Sequence, residues 1–183
     1  MKCPVCKTNT LQLINLADSL PANRCSTCNG IWVSSNQYLA WVRHQSAPLP
    51  ERNGQVPIDP KWDTNTLKLC PEDGHIMARY KIFPSLEFYL DRCRHCNGIW
   101  FDDHEWDVLV SQNMQDKVNQ FFTRPWQENM HTRETGDRMG KIYLEKFGIE
   151  DYNKVREIRT WLTDNPRRAM LLAFLQAEDP YKI

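Results

Sequence analysis

The chain has 183 residues, 41% of them hydrophobic and 25% charged, and its 23 basic and 23 acidic side chains leave a formal net charge of zero. That composition excludes wholesale disorder; the lack of any apolar run of about 18 residues argues against a membrane span; and zero net charge counts against strong, sequence-blind nucleic-acid binding. The opening Met1-Lys2-Cys3-Pro4 has no apolar segment of the secretory kind, so the expected location is a reducing cytoplasm.

Taken in chain order, Leu11, Leu13 and Leu16 predict a short strand, and Tyr38, Leu39, Trp41 and Val42 a short helix over 36–43. Pro48, Pro50, Pro57 and Pro60 forbid a continuous helix or central strand, so 44–66 reads as a semi-rigid linker. Ile76 to Ile82 and Leu86 to Leu90 predict a hairpin turned at Pro84-Ser85. Trp106, Leu109, Val110, Met114, Val118, Phe121 and Phe122 then recur at helical spacing over 104–122, with Asp102 or Asp103 as the expected N-cap. The polar stretch Thr123–Asp137 reads as a solvated connector, or as a strap anchored on a partner by Trp126. Beyond it come a stripe of Met139, Ile142, Tyr143 and Phe147 stopped by Gly148, and a second of Tyr152, Val155, Ile158 and Leu162. The last helix starts at Asp164-Asn165-Pro166 and is apolar on most faces.

An internal repeat organises the first two thirds. Arg24-Cys25-Ser26-Thr27-Cys28-Asn29-Gly30-Ile31-Trp32 returns as Arg92-Cys93-Arg94-His95-Cys96-Asn97-Gly98-Ile99-Trp100, and Cys3-Pro4-Val5-Cys6 as Cys70-Pro71-Glu72-Asp73. Six of the seven cysteines form Cys-x-x-Cys pairs. In a reducing compartment such pairs read as metal ligands rather than disulfides.

Two Cys-x-x-Cys turns complete the tetrahedral sulfur shell that zinc accepts. Cys3, Cys6, Cys25 and Cys28 supply it in the first copy, and residues 7–24 suffice for one hairpin between the pairs. The second copy offers Cys70, Cys93 and Cys96 and needs a fourth donor. Asp73 stands where the first copy has Cys6, His75 is the more usual companion of three thiolates, and an unmetallated or water-completed site is the remaining option. His95 and His104 read as surface residues. With two Zn²⁺ bound and seven thiols ionised, the formal charge falls to about −3.

The expectation is a small zinc-stabilised α+β chain. Two tandem zinc ribbons, each a short β-hairpin with a following helix, occupy 1–43 and 67–122. An α-helical region occupies 123–183.

The motif Cys-Pro-x-Cys, followed by Cys-x-x-Cys-x-Gly-Ile-Trp and an acidic helix start, resembles the transcription factor IIB-type zinc-finger family of small bacterial proteins. The resemblance covers about residues 1–43 and 67–110. The second copy keeps Trp100, Asp102 and Glu105 of the pattern, whereas the first has Ser34, Ser35 and Gln37 after its Trp. The resemblance implies zinc binding and a ribbon fold.

No nucleophile–base set and no phosphate-cradling glycine loop is recognisable, so catalysis is not expected. The expected function is that of a protein-binding adaptor or assembly factor, using a tryptophan-rich surface and the C-terminal helices. The alternative is a transcription-associated or RNA-binding zinc protein, and a remoter one an enzyme using an open zinc in the second copy. Trp32 and Trp100 are expected to cover the small core beside each metal.

Overall fold

The structure, a computed structural model, describes residues 1–17, 19–45, 59, 62–84 and 86–181. It comprises two compact units, Met1–Glu134 and Thr135–Ile183. No helix among the described residues is long and apolar enough to cross a membrane.

In the first unit each copy of the repeat forms a three-stranded antiparallel meander and a helix. The first copy supplies β1 (Gln12–Asn15), β2 (Pro21–Arg24), β3 (Ile31–Val33) and α1 (Ser35–His44). The second supplies β4 (Met77–Lys81), β5 (Tyr89–Cys93), β6 (Ile99–Phe101) and α2 (Glu105–Ser111). Each also opens on an isolated bridge, Lys2 with Thr10 and Leu69 with Ile76.

The copies are not separate modules side by side. β3 pairs antiparallel with β6, giving one six-stranded sheet in the order β1-β2-β3-β6-β5-β4. The register places Ile31 opposite Phe101, Trp32 opposite Trp100 and Val33 opposite Ile99, so an approximate two-fold relation passes between the tryptophans. The reason lies in the strands themselves. Ile31-Trp32-Val33 and Ile99-Trp100-Phe101 are apolar at every position, and all six residues are buried. A strand apolar on both faces needs cover on both sides and a partner at each edge. Mutual pairing supplies the missing edge.

Alternation along these strands divides two cores. On one face Ile31, Val33, Ile99 and Phe101 pack with Tyr38, Trp41, Trp106 and Leu109 of the helices. On the other, Trp32 and Trp100 pack among Cys3, Cys25, Cys70 and Cys93.

Several expectations change. The single helix over 104–122 is two: α2 ends at Ser111 and α3 spans Val118–Phe121. Asn113, at φ 54°, breaks the run. Tyr38 of the first copy fills the break, its hydroxyl donating to the Gln115 carbonyl (3.0 Å) and accepting from the Val118 N–H (3.0 Å). Neither Asp102 nor Asp103 caps α2; His104 stands at its N-cap in the left-handed region, with no side-chain capping bond. The stretch Thr123–Asp137 is largely exposed and helical, with α4 (Arg124–Phe147) running through it. Trp126 packs on Phe121, ring centroids 4.9 Å apart, and Gln127 donates to the Phe121 and Lys81 carbonyls. Of the 44–66 linker, residues 46–58, 60 and 61 lie outside the described residues. Trp62 to Lys68 are held against the second copy, Trp62 on the His104 ring at 4.6 Å.

A surplus of exposed tryptophan is also absent. Trp32, Trp41, Trp100 and Trp106 are buried, Trp62 and Trp126 partly so, and Trp161 alone is exposed. One shared sheet encloses more than two separate ribbons would.

The second unit holds the end of α4, α5 (Ile149–Thr163) and α6 (Arg168–Gln176). Gly148, at φ 76°, separates α4 from α5 where an L side chain would be strained. Leu162 is the one buried side chain among its described residues.

Candidate metal centres

Each knuckle is a tight turn closed by a residue in the left-handed region. In the first copy these are Lys7 and Asn29, and in the second Gly74 and Asn97. Asn and Gly tolerate that conformation best. The turns aim backbone N–H groups at sulfur: Cys6 N–H at Cys3 Sγ (3.3 Å), His95 N–H at Cys93 Sγ and Gly98 N–H at Cys96 Sγ (3.4 Å each).

Cys3, Cys6, Cys25 and Cys28 bring their sulfurs within 4.8 Å of one another. Cys3 and Cys28 sulfurs are 3.5 Å apart, and those of Cys6 and Cys25 3.8 Å. A disulfide would need about 2.05 Å. A tetrahedron with Zn–S bonds of about 2.3 Å has edges of about 3.8 Å, so the donor set fits zinc. Burial pushes the Cys28 thiol up, as it does Cys6. Burial acts on Cys25 too, but the backbone N–H groups of Cys28 and Thr27 outweigh it and hold that thiol at about 6. Zinc loading therefore expels protons and weakens in acid.

In the second copy Cys70, Cys93, Cys96 and Asp73 converge within the same 4.8 Å limit. Cys70 and Cys96 sulfurs are 3.5 Å apart, and the Asp73 carboxylate lies 3.4 and 3.6 Å from Cys93 Sγ. Three sulfurs and one oxygen also suit zinc. Burial pushes Cys70 up, and Cys96 to about 11. Asp73 is held well below the usual carboxylate range by hydrogen bonds from the Cys70 thiol and the His75 N–H. His75 is not among the four converging donors. Its ring is exposed, with Nδ1 3.2 Å from Asp73 Oδ1. His95, also exposed, lies 2.9 Å from Oδ2. His104 faces Asp103 and Asp107 on the surface.

The repeated Gly-Ile-Trp finds its explanation here. A Cβ on Gly30 would sit 2.1 Å from Trp100, and one on Gly98 2.2 Å from Trp32. Each indole lies against the glycine of the other copy's knuckle, an approach only glycine permits. Trp32 Nε1–H also donates to Glu72 of the second knuckle (3.1 Å). The expected cover is present, but crossed between the copies.

Sequence reasoning missed a buried ionic cluster behind the second knuckle. Lys68 Nζ lies 2.6 Å from Asp91 and 3.0 Å from Asp102, with its side chain fully enclosed. Asp102 also accepts from Trp100 Nε1 (2.7 Å) and from the Thr64 N–H and hydroxyl (2.7 and 2.6 Å). Glu105 accepts from the Asp102 N–H (2.7 Å), and Asp63 pairs with Arg79. Burial, then the Asp102 charge, holds Glu105 well above the ordinary carboxylate value. Nothing in the spacing marks Lys68 as internal. The acidic helix start was visible, but as a cap.

A family model described as a transcription factor zinc-finger matches residues 2–44, the first copy with all four of its thiols. No curated protein and no solved structure matches the chain. The chain thus carries a zinc-finger at its N-terminus. The second copy is tied to it by the repeat, the sheet and a second cluster of metal-binding donors, rather than by a family match of its own.

Proposed function

We propose that the chain is a non-catalytic double zinc-ribbon protein acting as a protein-binding adaptor or assembly factor in a reducing cytoplasm. Two structural Zn²⁺ hold the first unit, one on Cys3, Cys6, Cys25 and Cys28, the other on Cys70, Cys93, Cys96 and Asp73. A four-donor shell leaves no open position for a substrate water.

The observation that carries the binding role is the burial imbalance of the second unit. Its helices enclose Leu162 alone, while Ile149, Trp161, Met170 and Leu175 are each more than half exposed. Helices of this length are marginal without packing on an apolar face, and a surface of this kind marks a docking site. Two grooves run along it. One, of about 430 Å³, lies between α5 and α6 with Arg159 and Arg168 among its apolar lining. The other, of about 540 Å³, lies between α4 and α5 with Arg156 and Arg159. Apolar floors flanked by arginine suit an amphipathic helix that carries carboxylates beside its apolar stripe.

The test uses the full, zinc-loaded chain. A partner is captured, identified and purified, and its affinity measured for the wild type, Trp161→Asp and Leu175→Asp. The expected result is binding little changed between about 50 and about 200 mM salt, at least tenfold weaker in both variants at unchanged zinc content. Equal affinity in the variants overturns the reading. Micromolar, steeply salt-dependent binding to nucleic acid instead supports the transcription-associated or RNA-binding role.

A further inference from the structure

Three differences between the copies fall on one spot. Cys6, Thr8 and Thr27 of the first copy stand where the second has Asp73, His75 and His95. Far apart in sequence, His75 and His95 are brought together by the two knuckle turns. Their rings stack at 4.5 Å with planes 21° apart. Each directs Nδ1 at a different oxygen of the same carboxylate, His75 at Oδ1 (3.2 Å) and His95 at Oδ2 (2.9 Å). The three donor atoms lie within 4.8 Å of one another. Both rings are open to solvent, whereas the side chain of Asp73 is only 18% exposed, turned towards the thiols.

We propose that Asp73, His75 and His95 form a third metal site, which takes an exchangeable divalent transition ion from solution beside the second zinc cage. This rests on the reading that Asp73 faces the three thiolates. The carboxylate then serves both sites, since Oδ1 and Oδ2 each lie near one of the histidines and near Cys93 Sγ. Two imidazoles and a carboxylate are an ordinary donor set for Zn²⁺, Co²⁺ or Ni²⁺. Electrostatics favours the second ion, because three thiolates, one carboxylate and one Zn²⁺ sum to −2. The set is exposed and supplies three donors, so water completes the shell and the ion exchanges readily. A site of this kind is suited to collecting a metal at the mouth of the cage.

The first copy shows that the arrangement is not a requirement of the fold. There Cys6 completes the cage, and at the position of His95 the Thr27 hydroxyl accepts from the Asn9 amide. The same turns close without imidazole.

The test is a titration of the full chain with Co²⁺ after metal removal, read by absorbance and calorimetry, for the wild type and for His75→Ala/His95→Ala. The wild type is expected to take two equivalents with thiolate-to-cobalt charge-transfer bands. A third, weaker equivalent then adds no such band. The double variant keeps the first two and loses the third, weakening it at least tenfold. A wild-type titration that stops at two equivalents overturns the proposal, as does a third equivalent retained in the variant. If the variant instead loses charge-transfer intensity from the second equivalent, a histidine is a ligand of the cage, and the reading of Asp73 falls with the proposal.

Discussion

The two copies share a backbone and differ in what stabilises it. The first closes its metal cage with four thiols and joins Ser34 to Gln37 by a neutral hydrogen bond of 2.9 Å. The second closes its cage with three thiols and a carboxylate, and places Asp102 and Glu105 at the positions of Ser34 and Gln37, with Asp91 at that of Asn23. Lys68 enters to meet Asp91 and Asp102. The same meander is thus compatible with neutral and with ionic interiors. A buried ion pair is weak evidence for added stability, since desolvation offsets the attraction. What the ionic version adds is a tie: through Thr64 and Lys68 it fixes the segment entering the second copy against β5 and β6.

The largest effects should follow loss of either cage. Because β3 pairs with β6 and the indoles cross, Cys25→Ser and Cys93→Ser are each expected to disrupt the whole sheet. Tryptophan fluorescence and amide exchange should report both copies changing together. A Cys93→Ser protein whose first copy stays protected would break the picture of a shared fold. The cages are expected to differ in strength, one closed by four thiols and the other by three thiols and a carboxylate. Under a chelator the second zinc should leave first, and Asp73→Cys should slow its release at least tenfold.

Next in size is Lys68→Met, which puts at position 68 the residue that the first copy has at its equivalent, Met1. It leaves carboxylates buried without their cation, at a cost of about 3–5 kcal/mol by urea denaturation. Adding Asp91→Asn, again the residue of the first copy, should restore much of that loss. No recovery in the double variant would mean that Lys68 acts through packing alone. Smaller again are Gly30→Ala and Gly98→Ala. Both indoles are fully buried and have nowhere to move, so overpacking should cost about 1–3 kcal/mol in each. Similar costs are expected, since the contacts are reciprocal; a cost in one variant only would break the two-fold relation.

Much of this was legible in the residues. The Cys-x-x-Cys spacing located both donor clusters, and helical periodicity located α1, α5 and α6. Other features depend on long-range placement. Ile-Trp-Val and Ile-Trp-Phe read as strand ends, and nothing local says that they pair with each other. The break in the 104–122 helix follows from Tyr38, whose partners lie at Gln115 and Val118. Asp102 reads as a cap by position, yet in the fold it meets Lys68, Thr64 and Trp100. The choice between Asp73 and His75 was open because both follow Cys70 closely. The turn at Gly74 brings Asp73 to the thiols and leaves His75 outside.

The smallest effect concerns Glu105, where the first copy carries Gln37. Burial and the charge of Asp102 raise its carboxyl, with Asp63 adding to the rise and Lys68 opposing it. The folded chain therefore binds this proton more tightly than the unfolded chain does. Its contribution is complete below the ordinary carboxylate value and is lost as pH rises through the raised folded value. Glu105→Gln keeps an acceptor for the Asp102 N–H and removes the titration. Urea midpoints of the two proteins should diverge as pH rises above the ordinary carboxylate value, with the variant the more stable. The comparison is best made between about pH 6 and about pH 9, where zinc remains bound. A wild type that gained on the variant with rising pH would mean that the fold stabilises the carboxylate, and that the second copy's interior is ionic at this position as well.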